Sequence, residues 1–482
     1  LDEGTGFILV APNTPEGTYT VNYTICEKAN LTNCSSTTET VTVTKSIIDA
    51  VSDLVVPNVN GFVGRPTAIN ALNNDKLNGA AAQISQVTIS VITPASSING
   101  GPVPTLNIAN GIVSVAAGTP ESTYTIEYEI CEKLNPTNCD RTTIVIPVVA
   151  PIIDAINDAT SPVNGADGNP NLMDVLTNDT LNGSSFVFSQ INLTQISGAT
   201  PNTPGALVPV LNLANGIISV PVGTPSGTYA INYQICEKLN PSNCDDAVAT
   251  ITVIAATLIA NDDNLGPING YVGNPNVVNA YYINDTFNGK VVDLALITPT
   301  ILNTAIPVRP GAPVPVLDVA TGIVSVPAGT PADDYAIQYQ LCEKLNPTNC
   351  DVALINIRVL PPPIIAKDDI SLPINGRVGS VSVLNAYSND GLNGLGLNLA
   401  EITPTIVTPA SPIGGGSVPT LNTSTGVVSV PANTPAGVYT ITYRICEKLN
   451  PSNCDPATIT VNVIAAPIVA NDDSVAGING YI

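Results

Sequence analysis

Hydrophobic and polar residues alternate with a period of two along much of this chain. In the segment TYTIEYEIC at 123–131, one face carries large apolar side chains and the opposite face carries mostly polar ones. The apolar face contains Tyr124, Ile126, Tyr128 and Ile130, and the polar face contains Thr125, Glu127, Glu129 and Cys131. Such alternation is typical of a strand that is buried on one face. Runs of β-branched residues separated by Gly, Pro, Asn and Asp turns recur throughout, without helical periodicity. The pattern predicts an all-β fold.

The pattern itself repeats about every 105 residues. The first cysteines of five related loops stand at positions 26, 131, 236, 342 and 446, and the last four loops read CEKLNPTNCD or CEKLNPSNCD. An aspartate-rich segment, an Asn-Gly turn, an Asn-Asp pair before LNG and a GIVSV strand keep the same order in every copy. A unit of this length is typical of a domain rather than of a solenoid repeat.

These landmarks predict four whole repeats, named R1 (47–151), R2 (152–257), R3 (258–363) and R4 (364–467). Residues 1–46 read as the C-terminal part of an earlier repeat, and 468–482 read as the N-terminal strand of a following one. Because the chain opens in the middle of the pattern, we expect it to be an internal piece of a larger protein.

Each repeat is predicted to be an immunoglobulin-like β-sandwich, because about seven short strands per hundred residues are typical of that fold. A partly open barrel is the alternative. The junctions are short, apolar and often contain Pro, as in LPPPIIAKDD at 360–369, and they lack flexible Gly/Ser linkers. We therefore expect tandem immunoglobulin-like β-sandwich domains arranged as an extended rod.

All ten cysteines belong to the five loops, and alternation places both cysteines of a loop outward on neighbouring antiparallel strands. Cysteines opposed in this way can approach within disulfide reach. Zinc would need about four ligands, and a redox site favours closer spacing. We predict one disulfide per loop, with these residues: Cys26, Cys34, Cys131, Cys139, Cys236, Cys244, Cys342, Cys350, Cys446 and Cys454.

The charge and composition of the chain argue against several classes of function. The chain has 38 Asp and Glu against 15 Lys and Arg, a net charge of -23, and no His. Nucleic acid and anionic membrane are unexpected partners because both need a positive surface. The longest apolar runs are too short to insert in a membrane. Without His no catalytic triad is visible, and Glu residues are expected mostly on outward strand faces, so we do not expect an enzyme.

Paired aspartates follow the domain junctions and, together with the Asn-Asp loops, could hold Ca²⁺, which prefers oxygen ligands. The candidate ligands are Asp262, Asp263, Asp285, Asp368, Asp369 and Asp390. The alternative is that these carboxylates cap turns and accept hydrogen bonds from backbone N–H groups. No other cofactor is predicted.

The order A-x-DD, ND-x-LNG and Y-T-I-x-Y-x-I-C-E-K-L-N-P-x-N-C-D resembles the tandem immunoglobulin-like or cadherin-like repeats of giant Bacteroidota cell-surface adhesins, including gliding-motility adhesins. The resemblance covers the whole chain, and the cysteine hairpin is its most specific part. The first loop departs from it at Ala29, Leu31 and Ser35. The resemblance implies export by type IX secretion and display as an extracellular filament attached to the outer membrane.

Taken with the near-identical repeats, this resemblance predicts a structural stalk segment that acts in surface attachment or gliding motility. Its partners would be the neighbouring repeats of the same chain, with surface polysaccharide or the gliding machinery as further candidates. The alternative is a binding array in which each repeat carries a site for a glycan or a protein.

Overall fold

The computed structural model describes residues 1–474 and Gly477. The chain is almost entirely β, as the alternation predicts, and its few helices are three or four residues long. It divides into two compact units, Leu1–Ile254 and Ala255–Ile482. The segment 468–482, predicted as the first strand of a further repeat, lies partly outside the described residues, as does its Asn479-Gly480 turn.

The first unit begins with a long hairpin and continues through R1 and R2. The hairpin strands are Gly17–Glu27 and Asn30–Val43. The strands of R1 are Ile48–Asp49, Asp53–Leu54, Val59–Asn60, Arg65–Asn70, Lys76–Leu77, Ala80–Ala81, Val87–Thr93, Thr105–Leu106, Ile112–Val115, Ser122–Glu132 and Cys139–Val149, with a 3-10 helix at Ala71–Asn73. Those of R2 are Ile153–Asp154, Asp158–Ala159, Val163–Asn164, Asn169–Asp174, Thr180–Leu181, Ile191–Ser197, Val210–Asn212, Ile217–Val220, Gly227–Glu237 and Cys244–Ile254, with a 3-10 helix at Phe188–Gln190.

The second unit contains R3 and R4. The strands of R3 are Leu258–Ile259, Asp263–Asn269, Asn274–Asn279, Thr286–Phe287, Lys290–Val291, Ile297–Asn303, Val316–Leu317, Ile323–Val326, Asp333–Glu343 and Cys350–Leu360, with a short α-helix at Ala280–Ile283. Those of R4 are Ile364–Ile365, Asp369–Ile370, Ile374–Asn375, Ser380–Asn385, Gly391–Leu392, Leu395–Gly396, Ile402–Thr408, Thr420–Leu421, Val427–Val430, Gly437–Glu447 and Cys454–Ile464.

The hairpin that ends each repeat forms the centre of its main sheet. In R1 the strands Ser122–Glu132 and Cys139–Val149 pair antiparallel, with Cys131 directly opposite Cys139. Val87–Thr93 adds on one side in antiparallel register. Asp53–Leu54 and Val59–Asn60 add on the other side in parallel register. The same strand order recurs in R2, R3 and R4.

A second sheet covers the inner face of the main sheet. In R1 it contains Arg65–Asn70, Ile112–Val115 and Thr105–Leu106. Val113 from this sheet and Tyr124 and Tyr128 from the main sheet are buried in a single core. The Tyr and Ile face of the hairpin is thus buried, as alternation requires. Each repeat is a two-layer β-sandwich.

The repeats contain ten or eleven strands rather than about seven. The additional strands are mostly two residues long, such as Asp53–Leu54 and Val59–Asn60 in R1. Pro57 lies between these two strands, and proline cannot donate to a ladder of hydrogen bonds. In R1 this segment forms two short strands, whereas the equivalent segment of R3, Asp263–Asn269, continues through Pro267 as one strand with an irregularity between Leu265 and Ile268.

The Asn60-Gly61 turn joins the short parallel strand to the rest of R1. The Gly61 N–H donates to the Val149 carbonyl oxygen at 2.9 Å, and the Gly61 carbonyl oxygen accepts from the N–H groups of Gly118 at 2.8 Å and Thr119 at 3.0 Å. A Cβ atom at Gly61 would overlap the carbonyl oxygen of Thr119. Only glycine permits this close approach of two backbone segments.

We expect Gly61→Ala to lower the free energy of unfolding of R1 by about 1–3 kcal/mol, because the added methyl group must displace the Thr119 backbone. Scanning calorimetry of the whole chain would measure the shift, and hydrogen exchange of the strand Cys139–Val149 would localise it to R1. Gly396→Ala is the control, because nothing lies within 4 Å of a Cβ atom there. Equal exchange in both variants would contradict the prediction.

Candidate functional site

The loop between the two cysteines of each repeat is the candidate functional site. Disulfide bonds join Cys26 to Cys34, Cys131 to Cys139, Cys236 to Cys244, Cys342 to Cys350 and Cys446 to Cys454. Each pair bridges two residues that are directly opposed across the hairpin, with Cα atoms 4.1 Å apart. All ten cysteines are therefore in disulfides, and each disulfide closes one loop at the end of a hairpin.

The glutamate after the first cysteine is buried, and the expectation that Glu residues face outward is wrong for this position. The four residues concerned are 4%, 2%, 1% and 2% exposed, in the order Glu132, Glu237, Glu343 and Glu447. Alternation along the strand explains the burial, because Glu132 continues the inward face of Tyr128 and Ile130. The sequence therefore contained this signal at the end of its clearest strand.

Asparagine amides of the same loop satisfy the buried carboxylate. In R1 the side-chain amides of Asn135 and Asn138 donate to Glu132 Oε2 at 2.8 and 3.0 Å. The Ser46 hydroxyl donates to Glu132 Oε1 at 2.9 Å. Burial alone would raise the pKa of Glu132, but these hydrogen bonds more than offset it and leave the pKa below its usual range. Glu132 is thus a stable, hydrogen-bonded anion.

R2 and R4 contain the same arrangement, and R3 contains part of it. In R2 the amides of Asn240 and Asn243 donate to Glu237 Oε2 at 2.6 and 3.1 Å. In R4 those of Asn450 and Asn453 donate to Glu447 Oε2 at 2.8 and 2.9 Å. In R3 the Asn349 amide donates to Glu343 Oε2 at 2.7 Å. The Glu-Asn-Asn cluster therefore recurs in three of the four repeats, and R3 keeps the bond from its second asparagine.

The second asparagine of each loop also holds the segment that leads into its own repeat. Its side-chain amide donates to a backbone carbonyl oxygen of that segment at 2.8–2.9 Å, and the pairs are Asn138 with Ser46, Asn243 with Pro151, Asn349 with Ala256 and Asn453 with Pro362. One amide group therefore binds both the buried glutamate and the incoming chain. This fixes the direction in which the chain enters the repeat.

The first asparagine of the loop contacts the preceding repeat. Its side-chain oxygen accepts a hydrogen bond from a backbone N–H that lies 118 or 119 residues earlier. The pairs are Asn135 with the N–H of Glu16 at 2.7 Å, Asn240 with that of Glu121 at 2.6 Å and Asn450 with that of Ala332 at 2.6 Å. The disulfide loop is therefore a contact between consecutive repeats within each compact unit.

A second contact forms between turns of consecutive repeats. The Asn60 side-chain amide of R1 donates to the side-chain oxygen of Asn182 in R2 at 2.9 Å. Asn269 of R3 and Asn393 of R4 make the same hydrogen bond at 2.9 Å. The acceptors belong to the LNG turns, where both asparagines adopt the left-handed conformation at φ 55° and 54°. Two separated polar contacts restrain the rotation of one repeat against the next better than a single contact does.

An aromatic residue after the Asn-Gly turn adds apolar contact at the same junctions. Phe62 of R1 packs against the core of R2, and Tyr271 of R3 packs against the core of R4. The Tyr271 hydroxyl also donates to Glu401 Oε2 at 3.0 Å. Period-two alternation gives no sign of these side chains, because they lie outside any long strand. Their position directly after a repeated Asn-Gly turn is the signal that could have identified them.

The six aspartates predicted as calcium ligands fall into two environments. Asp262 and Asp368 are exposed, and each caps the backbone N–H of a neighbouring strand at 2.8 Å, as the turn-capping alternative describes. The other four are buried in the cores of R3 and R4: Asp263, Asp285, Asp369 and Asp390.

The buried carboxylates of Asp285 and Asp390 also accept a backbone N–H, each at 2.7 Å. Within residues 1–474 the sole group of three potential ligand atoms from His, Cys, Asp or Glu comprises Glu129, Cys131 and Cys139. Its two sulfur atoms are already joined in a disulfide. Calcium binding by the aspartates stays a prediction.

Comparison with known proteins found likeness in solved structures alone. No family model and no curated protein matches the chain. The structure of protocadherin gamma B2 extracellular cadherin domains 3–6 aligns over 87% of this chain and 100% of its own, with 8% identity and a TM-score of 0.30. The human desmocollin-1 ectodomain aligns over 93% and 85%, with 7% identity and a TM-score of 0.27. Drosophila N-cadherin EC1-4 aligns over 86% and 99%, with 11% identity and a TM-score of 0.20.

Removing the amide of Asn240 should loosen the contact between R1 and R2. We expect Asn240→Ala to cost about 1–3 kcal/mol, because the Glu121 N–H and one oxygen of Glu237 both lose a buried partner. Hydrogen exchange measured by mass spectrometry should show faster exchange at Glu121, in the repeat that was not changed. Ser242→Ala, an exposed change in the same loop, is the control. Unchanged exchange at Glu121 would show that the hydrogen bond does not couple the repeats.

Removing the disulfide of the same loop should have a similar remote effect. We expect Cys236→Ala with Cys244→Ala to destabilise R2 by about 2–3 kcal/mol, the value for closure of so short a loop. Exchange at Glu121 should again increase, because Asn240 is no longer held in position. The matched control is Cys26→Ala with Cys34→Ala, which removes a disulfide whose adjacent Glu27 is exposed. That variant should leave Glu121 protected, and equal deprotection in both would contradict the mechanism.

Proposed function

We propose that this chain is a non-enzymatic, structural stalk segment of a large cell-surface adhesin filament. The observation that carries the proposal is the hydrogen bond from a backbone N–H of one repeat to the loop asparagine of the next, as between Glu121 and Asn240. The same loop asparagine recurs in several repeats, and in each case it contacts the preceding repeat. Such a loop serves to join repeats along the chain. A ligand-binding array would instead be expected to direct its repeated polar residues toward solvent.

The extracellular location that we propose is supported by the disulfides, because such bonds persist in oxidising compartments. All ten cysteines are paired in this way. None of the helices among the described residues is long and apolar enough to cross a membrane. Attachment to the outer membrane and export by type IX secretion rest on the sequence resemblance to Bacteroidota adhesins.

The first partners of each repeat in this proposal are its neighbours in the same chain. Surface attachment or gliding motility would then be served by repeats that set the distance between the cell and a distal adhesive region. Surface polysaccharide or the gliding machinery are the partners that the resemblance supports. The net charge of -23 favours this role, since like-charged filaments repel one another and stay soluble.

Small-angle scattering of the whole chain tests the stalk. We expect an elongated particle on the order of 150 Å long, because a strand residue rises about 3.3 Å and each repeat ends in two strands of 11 residues. The length should be the same in calcium and in chelator, since the junction contacts within each unit are protein hydrogen bonds and aromatic packing. Asn240→Ala should broaden the distribution of interatomic distances, because it loosens the contact between R1 and R2.

A compact particle would overturn the proposal of a stalk. Collapse of the particle in chelator alone would assign its stiffness to calcium.

A further inference from the structure

A tyrosine hydroxyl lies between two buried carboxyl groups in the core of R1. Tyr128 Oη is 3.1 Å from Asp53 Oδ2 and 3.0 Å from Asp75 Oδ2. It is also 3.0 Å from the carbonyl oxygen of Ala71. Tyr128 and Asp75 are fully buried, and Asp53 is 5% exposed. We call these three side chains the Asp-Tyr-Asp cluster of R1.

R2 contains the same cluster at equivalent positions. Tyr233 Oη is 3.0 Å from Asp158 Oδ2 and 3.3 Å from both carboxyl oxygens of Asp179. The Val175 carbonyl oxygen lies 3.0 Å from the same hydroxyl. The cluster is therefore built twice in the first unit, at positions 105 or 104 residues apart in sequence.

Counting protons shows that the cluster of R1 is incomplete when both carboxyl groups are ionised. The Tyr128 hydroxyl has one proton to donate, yet every oxygen around it would then be an acceptor: two carboxylates and one carbonyl. Two carboxylates in contact with one hydroxyl also repel each other across a core of low dielectric. One additional proton on a carboxyl group removes the repulsion and supplies the missing donor.

The hydrogen bonds indicate which carboxyl group carries that proton. Asp75 Oδ1 accepts the backbone N–H of Val51 at 2.8 Å, and Asp179 Oδ1 accepts that of Ile156 at 2.7 Å. Such bonds favour the ionised form. Asp53 has the tyrosine hydroxyl as its hydrogen-bond partner. Asp53 is therefore the protonated member in R1. In R2 burial raises the pKa of Asp158 and that of Asp179 alike to about 6, so these two carboxyl groups share the proton.

The surroundings supply no compensating positive charge. The neighbouring charged groups in R1 are further carboxylates, Asp49 and Asp140, and those in R2 are Asp154 and Asp174. Across residues 1–474 the single ion pair joins Arg141 to Glu129. An uncompensated pair of buried anions is far less stable than a pair that shares one proton.

We propose that the Asp-Tyr-Asp clusters of R1 and R2 are proton-binding sites, so that each of these repeats takes up one proton when it folds near neutral pH. Burial, the largest cause, raises the pKa of Asp53 to about 7 and that of Asp158 to about 6. Both groups have an ordinary pKa of 3.8 in the unfolded chain. At a pH between the ordinary pKa and the raised pKa, the folded repeat holds a proton that the unfolded chain has lost. Folded stability is therefore greatest at acid pH and falls as pH rises from about 4 to about 7.

The cluster makes the free energy of unfolding of R1 and R2 depend on pH. For each bound proton the unfolding constant rises by up to about tenfold per pH unit in this window. In R1 the junction-loop Glu132 does not oppose this, because hydrogen bonds hold its pKa below the usual range. R1 and R2 are therefore more stable toward unfolding under mild acid than at neutral pH.

The test is scanning calorimetry of the whole chain at pH 5, 6 and 7 in chelator, combined with infrared spectroscopy of the protonated carboxyl group. We expect the midpoint temperature of the wild type to fall by several degrees from pH 5 to 7. The double variant Asp53→Asn with Asp158→Asn should show a smaller fall, because two of the titrating groups are gone. It should also show a weaker carboxylic-acid band at pH 6. Asp334→Asn, an exposed change in R3, is the control and should match the wild type.

Three outcomes would overturn the proposal. The first is a wild type without a carboxylic-acid band at pH 6, a measurement that does not depend on the variant folding. The second is a double variant with the pH dependence of the wild type. The third is a wild type in which millimolar calcium removes the pH dependence, because the clusters would then take a metal ion instead of a proton.

Discussion

The hydrogen bonds from two asparagine amides to one buried glutamate are the interaction on which the described junctions depend. A carboxylate buried without donors would cost several kcal/mol, so Glu132 requires Asn135 and Asn138 in fixed positions. These amides are fixed because the disulfide and a loop of seven residues leave them little freedom. With the amides in place, their remaining hydrogen-bonding atoms are directed to the incoming chain and to the preceding repeat. If Glu132, Asn135 or Asn138 is removed, at least one of the remaining two side chains loses a hydrogen-bond partner.

R1 thus buries acidic groups in two opposite ways. Glu132 is surrounded by donors, and its pKa lies below the usual range despite burial. Asp53 lies beside another carboxyl group, and burial raises its pKa to about 7. The same residue chemistry therefore gives a fixed anion at the junction and a neutral acid in the core. The difference has two causes: Asp53 lies deeper in the core, where desolvation outweighs its one hydroxyl donor, whereas Glu132 lies nearer the surface and has several N–H and O–H donors within reach.

The sequence predicted the fold class well, because period-two alternation determines which face of a strand is buried. It placed Tyr124 and Tyr128 in the core, where the structure has them. The opposed cysteines follow from the same alternation once the two strands pair. Long-range partners could not be predicted, since the proximity of Asp53 and Asp75 to Tyr128 depends on how three separate segments fold together. The role of Asn135 was also hidden, because no local pattern reveals that its acceptor faces a residue 119 positions away.

The contact between the loop and the preceding repeat uses a main-chain group on one side. The donors are the N–H groups of Glu16, Glu121 and Ala332, so the same contact forms beside a carboxylate side chain in two cases and beside a methyl group in the third. A loop that recognises the backbone places little demand on the amino acid at the position it meets. A gene encoding such a chain can gain or lose whole copies by unequal recombination, and each new neighbour pair would meet a compatible surface without a compensating mutation. The number of repeats is therefore less constrained by this contact than by the contact of Asn60 with Asn182, where both partners are side chains.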